Sequence, residues 1–197
     1  MGKVTTGFSM SLDGFIAGPN DDVQRVFAWM FSGQTEVKQS SGSEDLSLKT
    51  SEESAEVFEQ GAQAVGALVT GRHLFDITGA WGGKHPLNVP MVVVTHRPAQ
   101  EWIKPGSPFT FVTDGVESAV RKAQEIAGEK NVAIASANVL QQVIRLGLLE
   151  EIHIDLVPVL LGDGTRLFDH IGGPVDLEIT EVVQARDVTH LTYRVKK

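Results

Sequence analysis

Short β-branched runs alternating with amphipathic helical stretches predict an α/β protein. The expected form is a mostly parallel sheet with helices on both faces and an antiparallel C-terminal edge. Three observations carry that expectation. The run PMVVVT at 90–95 is short, β-branched and flanked by proline, the pattern of a strand buried on both faces. Residues 109–157 alternate strand, helix, strand, helix and strand, which implies parallel pairing. The last segments, 176–186 and 188–195, read as an antiparallel pair that closes the sheet.

The elements follow in order along the chain. Residues 3–9 form a first strand that ends in a turn at Asp13-Gly14. Residues 23–31 are apolar enough for a short helix, and 52–63 for a second. AVGALVT at 64–70 is a buried strand. After the strand at 109–112, Asp114 and Glu117 have capping-box spacing, and Val116, Ala119, Val120, Ala123, Ile126 and Ala127 fall on one helical face. A strand at 132–135 leads to Ser136, placed to cap a helix whose stripe is Val139, Leu140, Val143 and Ile144 and which Gly147 stops. A strand at 152–157 ends at Pro158, and Leu191, Tyr193 and Val195 share one face of the final strand.

At 197 residues, with no internal repeat and no shift in composition, the chain is expected to be a single domain spanning 1–197. A flexible Ser/Glu-rich loop at about 32–54 is the exception, either a lid over a site or plain disorder. Apolar residues make up 42% and charged residues 21%, a globular composition. Lys and Arg number 17 against 25 Asp and Glu, a formal charge of -8, which argues against nucleic acid as a partner. The absence of cysteine excludes disulfide scaffolds, thiolate zinc sites and cysteine nucleophiles. With no signal-like start and no long apolar run, a cytoplasmic protein that makes no membrane contact is expected.

Ligands of open α/β sheets gather at the carboxyl ends of strands, where helix N-termini present N–H groups to anions. Four such ends stand out: 9–20, Gly71-Arg72-His73, Thr95-His96-Arg97, and Ala135-Ser136-Ala137-Asn138. Arg72-His73 and His96-Arg97 could each be solvated loop charges. Following two strands of one sheet, they would also suit the two phosphate positions of a dinucleotide. His153 and Asp155 alternate on one strand without an evident third ligand, so no metal site is expected and a polar or interface face is the plainer reading. His85 and His190 read as surface or strand-edge residues. The run LLGDGTRLF lacks the Lys-Ser/Thr end of a phosphate loop and reads as a tight turn. No G-x-S-x-G elbow accompanies Asp169-His170, so a serine hydrolase is not indicated. Trp29, Phe31 and Trp81 are either stacking walls or core.

Four segments in order, FSMSLDGFIAG, ALVTGRHLFD, VPMVVVTHRP and VAIASANVLQQVIRLGLLEEIHIDLVPVLLGDGTRLF, resemble the dihydrofolate reductase-like superfamily. The match is nearest to the branch holding the reductase domain of riboflavin biosynthesis and small stand-alone bacterial proteins. That resemblance implies an NADPH-dependent reductase acting on a pteridine- or aminopyrimidine-like small molecule, and a homodimer. It implies that Ser9 meets the nicotinamide carboxamide with Ile16 beside the ring, and that Gly71, Arg72 and His73 face the pyrophosphate. Thr95, His96 and Arg97 would receive the adenosine end, with Arg97 and His96 reading the 2′-phosphate. Ala135, Ser136, Ala137, Asn138 and Val139 would cradle the pyrophosphate at a helix N-terminus.

The chain departs from the family at three places. Ala135-Ser136 stands where the family has Gly-Gly, and Ile134 where the riboflavin-pathway reductases have Glu. For the helical carboxylate that protonates pterins in dihydrofolate reductases, the nearest equivalents are Glu52, Glu53 and Glu56, flanking Ala55, with no exact match. Asp13 is the remaining catalytic candidate, with stabilisation of the Asp-Gly turn as its other role. The competing reading is a non-catalytic homodimer that binds a nucleotide or small ligand and has kept the fold.

Overall fold

A computed structural model describes residues 1–37 and 48–196. The chain runs β1 (Val4–Ser11), β2 (Phe15–Ala17), α1 (Gln24–Phe27), β3 (Thr35–Glu36), β4 (Lys49–Thr50), α2 (Glu52–Ala64) and β5 (Val65–Gly71). It continues through α3 (Arg72–Ile77), β6 (Met91–Val94), β7 (Phe109–Val112), α4 (Val116–Ala127), β8 (Asn131–Ile134) and α5 (Ala137–Arg145). It closes with β9 (Glu151–Val157), β10 (Thr165–Arg166), β11 (Leu177–Ala185) and β12 (Val188–Val195).

Eight strands form one sheet in the order β11-β12-β9-β1-β8-β5-β6-β7. Every pair from β9 to β7 is parallel, and β12 and β11 add an antiparallel edge. Strands β5 and β6 are apolar on both faces because helices cover both, whereas β1 and β9 alternate and are polar on one face. One face packs Val69, Val92, Val132, Ile134, Ile152 and Ile154 against the apolar stripes of α4 and α5. The other packs Leu68, Met91, Val93 and Phe109 with Phe75 of α3. Among the described residues no helix is long and apolar enough to cross a membrane.

Local details differ from the sequence expectations. The helix expected over 23–31 is one α-turn, α1, followed by a 3₁₀ turn at Ala28–Phe31. The tighter turn carries Trp29 inward, where it is 3% exposed, while Phe31 is 54% exposed. Trp81 is half-buried. Asp114 does not cap α4: the chain enters through Gly115 at φ 107°, and no side chain bonds the first turn. Ser136 occupies the N-cap position of α5 without capping it, because its hydroxyl bonds elsewhere.

The flanks of the Ser/Glu-rich segment are built into the fold. Strands β3 and β4 pair antiparallel, Val37 and Leu48 are buried with Ala55, and Ser51 caps α2 by accepting from the Ser54 N–H at 3.3 Å. The middle of that expected loop, 38–47, lies outside the described residues. The LLGDGTRLF run is a turn leading into β10, which pairs with β2. Gly164 there has φ 127°, and a Cβ on it would lie 2.0 Å from the Ala17 carbonyl oxygen. Only glycine fits so close to a backbone.

Candidate active site

Strand register brings the expected strand ends to one edge. Gly71 lies opposite Val94, Val94 opposite Val112, and Ile134 opposite both Val69 and Thr6. Residues following these positions therefore emerge side by side. Strand β1 runs on to Ser11 opposite Val157 of β9, whereas its pairing with β8 ends at Thr6. Beyond Thr6, the β8-facing backbone of β1 has no strand partner, so the carboxyl edge of the sheet splits there between β1 and β8, at the strand that leads into α5, and this split is the crevice. Such a crevice outside the carboxyl ends of strands is where open α/β sheets hold nucleotides.

The N-terminus of α5 forms one wall. No side chain caps its first turn, so the N–H groups of Ala137, Asn138 and Val139 are not satisfied by a cap. Val139 and Ala137 are themselves buried, at 3% and 7% exposed, and only their backbone can meet a ligand. The Ser136 hydroxyl accepts from the Gly71 N–H at 2.9 Å, fastening the end of β5 to the start of α5. Ser136 sits at φ -139° and ψ 141°, extended backbone that does not call for glycine. Its side chain is thus turned along the sheet edge toward Gly71.

The cationic residues divide into fixed and free. Arg72 donates through Nε to Asp76 Oδ1 at 2.7 Å and through Nη1 to the Arg97 carbonyl oxygen. The Arg72 bond ties the β5 and β6 ends together, and the Thr95 hydroxyl, accepting from the Arg97 N–H at 3.1 Å, sets the turn that carries that carbonyl. Among the described residues, the exposed His96 and Arg97 side chains have no hydrogen-bond or ion-pair partner. His73 reaches across to Asp21 at 3.0 Å. Ile16, on β2, is half-buried against the main core.

Asp13 is fully engaged in holding a loop. Its carboxylate accepts from the Ser11 hydroxyl at 2.6 Å, the Leu161 N–H at 3.1 Å and the Gly162 N–H at 2.7 Å. These bonds, led by Ser11, hold its pKa at about 2. A carboxylate so stabilised stays ionised at neutral pH and clamps the 160–164 turn to the end of β1. Glu52, Glu53 and Glu56 point to solvent, while Ser54 and Ala55 turn inward.

Sequence reasoning missed a polar group on the α2 side of the sheet. Ser9, Asp155 and His190 are lateral neighbours on β1, β9 and β12. His190 is no edge residue: β11 covers its strand, and it is 5% exposed. Its Nδ1 lies 2.7 Å from Asp155 Oδ1 and its Nε2 2.8 Å from the Ser54 hydroxyl. Trp29 stands edge-on to its ring and donates from Nε1 to Ser9 Oγ at 3.0 Å. The available signal was parity: His153 and Asp155 share one face of β9, and the face fills only once β12 is placed beside it. His153 itself pairs with Glu151 at 2.9 Å nearer the other end.

The sheet order, the crevice and the uncapped α5 N-terminus define a dihydrofolate reductase-like α/β domain, a reductase-type fold. The chain belongs to the RibD C-terminal domain family, whose model matches residues 2–191. It is similar to the crystal structure of a putative riboflavin biosynthesis protein from Shewanella sp. PV-4, at TM-score 0.74 and 20% identity over 100% of both chains. It is also similar to Enterococcus faecalis dihydrofolate reductase complexed with NADP(H), at TM-score 0.62 and 13% identity over 99% of this chain and 97% of that one. A Thermotoga maritima diaminohydroxyphosphoribosylaminopyrimidine deaminase/5-amino-6-(5-phosphoribosylamino)uracil reductase matches at TM-score 0.63 and 14% identity, with 99% of this chain spanning 57% of its length. No curated protein matches the sequence.

Proposed function

We propose that the protein is an NADPH-dependent reductase that transfers hydride to a flat heterocycle of pteridine or aminopyrimidine type. The observation that carries this reading is the crevice beside β1 with the uncapped N-terminus of α5 after β8, and, further along the same carboxyl edge after β6, Arg97, whose side chain has no partner among the described residues. The residues present fit a dinucleotide. Ser136 needs no glycine conformation and keeps its hydroxyl on Gly71, so Ala135-Ser136 leaves the cradle to backbone N–H groups. When bound, NADPH supplies the hydride.

The chain's own residues bind and orient. Ala135, Ser136, Ala137, Asn138 and Val139 offer backbone donors to the diphosphate, with Gly71, Arg72 and His73 alongside. Thr95 shapes the turn that presents His96 and Arg97 to the adenosine end, where the guanidinium reads a 2′-phosphate by forked donation. Ser9 and Ile16 border the nicotinamide position. Asp13 keeps the adjoining turn closed. The similar structures support the reading: one is complexed with NADP(H), and another is a uracil-derivative reductase.

Titration with NADPH, followed by nicotinamide fluorescence, tests the proposal. Saturable binding in the micromolar range is expected. Absence of saturation below millimolar NADPH would sink the reductase reading and leave the fold as a binder of some other small ligand.

A further inference from the structure

Reduction of a C=N bond needs a proton as well as a hydride, and the α2 carboxylates point away from the sheet. Asp155 is differently placed. Its Oδ2 lies 3.5 Å from Ser9 Oγ, at the strand end assigned above to the nicotinamide, and its side chain is 25% exposed. The other oxygen is held by His190, which is buried.

The partners of His190 suit a ring that changes charge. When the ring is neutral beside an ionised Asp155, Nδ1–H donates to Asp155 and Nε2 accepts from the Ser54 hydroxyl. When it is an imidazolium, Nε2–H donates to that same oxygen, which a hydroxyl allows by rotating. Neither state leaves a buried ring nitrogen without a hydrogen-bond partner. Ser54 is itself fixed by the Ser51 hydroxyl at 3.3 Å. Among the described residues, the charged and titratable groups on this face include His190 and Arg194 of β12 and Asp155, His153 and Glu151 of β9, with Lys3 paired to Glu151 and Glu178 to Arg194; β1, α2 and the 3₁₀ turn contribute Ser9, Ser54 and Trp29 to the cluster.

We propose that Asp155 is the proton-donating residue of this site and that His190 positions and recharges it. This rests on the reductase reading. The substrate carbon takes the hydride of the reduced nicotinamide, while the Asp155 O–H breaks as the substrate N–H forms. The His190 imidazolium then passes its Nδ1 proton to the Asp155 carboxylate and is left as a neutral ring protonated on Nε2, with Nδ1 accepting from the carboxyl; a proton from solvent at the open carboxyl oxygen returns the pair to acid and imidazolium. One NADPH and one proton are consumed per C=N bond reduced.

The test compares wild type with Asp155→Asn and His190→Gln in three measurements. NADPH affinity, read by fluorescence, should agree within about twofold, which also certifies folding. With dihydrofolate and 5-amino-6-(5-phosphoribosylamino)uracil as substrates, wild type should reduce at least one, with a rate that falls as pH rises. Asp155→Asn should lose about 100-fold and lose that pH dependence; His190→Gln should displace the pH profile. Independently of turnover, 2-amino-4-hydroxypteridine added to the NADP⁺-loaded wild type should shift the His190 ring ¹⁵N resonances. An Asp155→Asn variant with the wild-type rate and pH profile overturns the assignment alone, as do unmoved His190 resonances. A wild type that binds no NADPH, or reduces neither substrate, overturns the reductase reading and the assignment with it.

Discussion

His85 makes the stability of this protein depend on pH in a calculable way. Its ring lies in the connection from α3 to β6, edge-on to Trp81 at 4.8 Å between centroids, and its Nδ1 accepts from the Leu87 N–H at 3.1 Å. Desolvation lowers its pKa from 6.5 to about 4. The unfolded chain therefore takes up this proton at higher pH than the folded one. Above 6.5 the two states bind it equally, and between 6.5 and about 4 acidification favours unfolding. From those two values, His85 alone removes about 2 kcal/mol by about pH 5 and about 3 kcal/mol by about pH 4. His85→Phe keeps a ring against Trp81 and abolishes the titration, at a pH-independent cost of about 1 kcal/mol for the lost Leu87 bond. Urea unfolding followed by far-UV circular dichroism, from about pH 7.5 to about pH 4, gives both curves. The variant should lose less stability than wild type on acidification, by about 2 to 3 kcal/mol as derived above. Parallel curves would refute the reasoning.

Two further outcomes follow from the nucleotide-side geometry. Arg97→Ala should weaken NADPH about tenfold and leave NADH unchanged, since an exposed charge-assisted contact sits near the low end of about 1.5–3 kcal/mol; titration with both cofactors decides, and an unchanged preference rejects the 2′-phosphate assignment. Ser136→Ala strips the Gly71 N–H of its acceptor and should cost about 1 kcal/mol by denaturant unfolding, with equal midpoints counting against the tie between β5 and α5.

Much of the fold was legible because buried parallel strands and amphipathic helices write their periods into the chain. Residues 109–112 were read at their observed limits, and the stripe Val139, Leu140 and Val143 is buried as its spacing predicts. Caps were less legible. Asp114 and Ser136 both have the right chemistry at the right offset, yet Gly115 redirects one helix entry and Gly71 captures the hydroxyl of the other. A side chain's bonding choice depends on which donors come within hydrogen-bonding reach, and sequence spacing does not report that.

The same contrast separates the two sides of the crevice. Residues that follow strands, from Gly71 to His73, Thr95 to Arg97 and Ala135 to Val139, were identifiable from the sequence because a strand-to-helix junction exposes its backbone wherever it occurs. Local pattern alone determined the α/β class, the antiparallel edge and those strand ends. Only the tertiary structure joined Ser9, Trp29, Ser54, Asp155 and His190, which come from five separate segments. Their contact arises from sheet register and from the burial of α2 and the 3₁₀ turn against one face. Long-range pairing sets which polar groups share a dry space, and no local period encodes it.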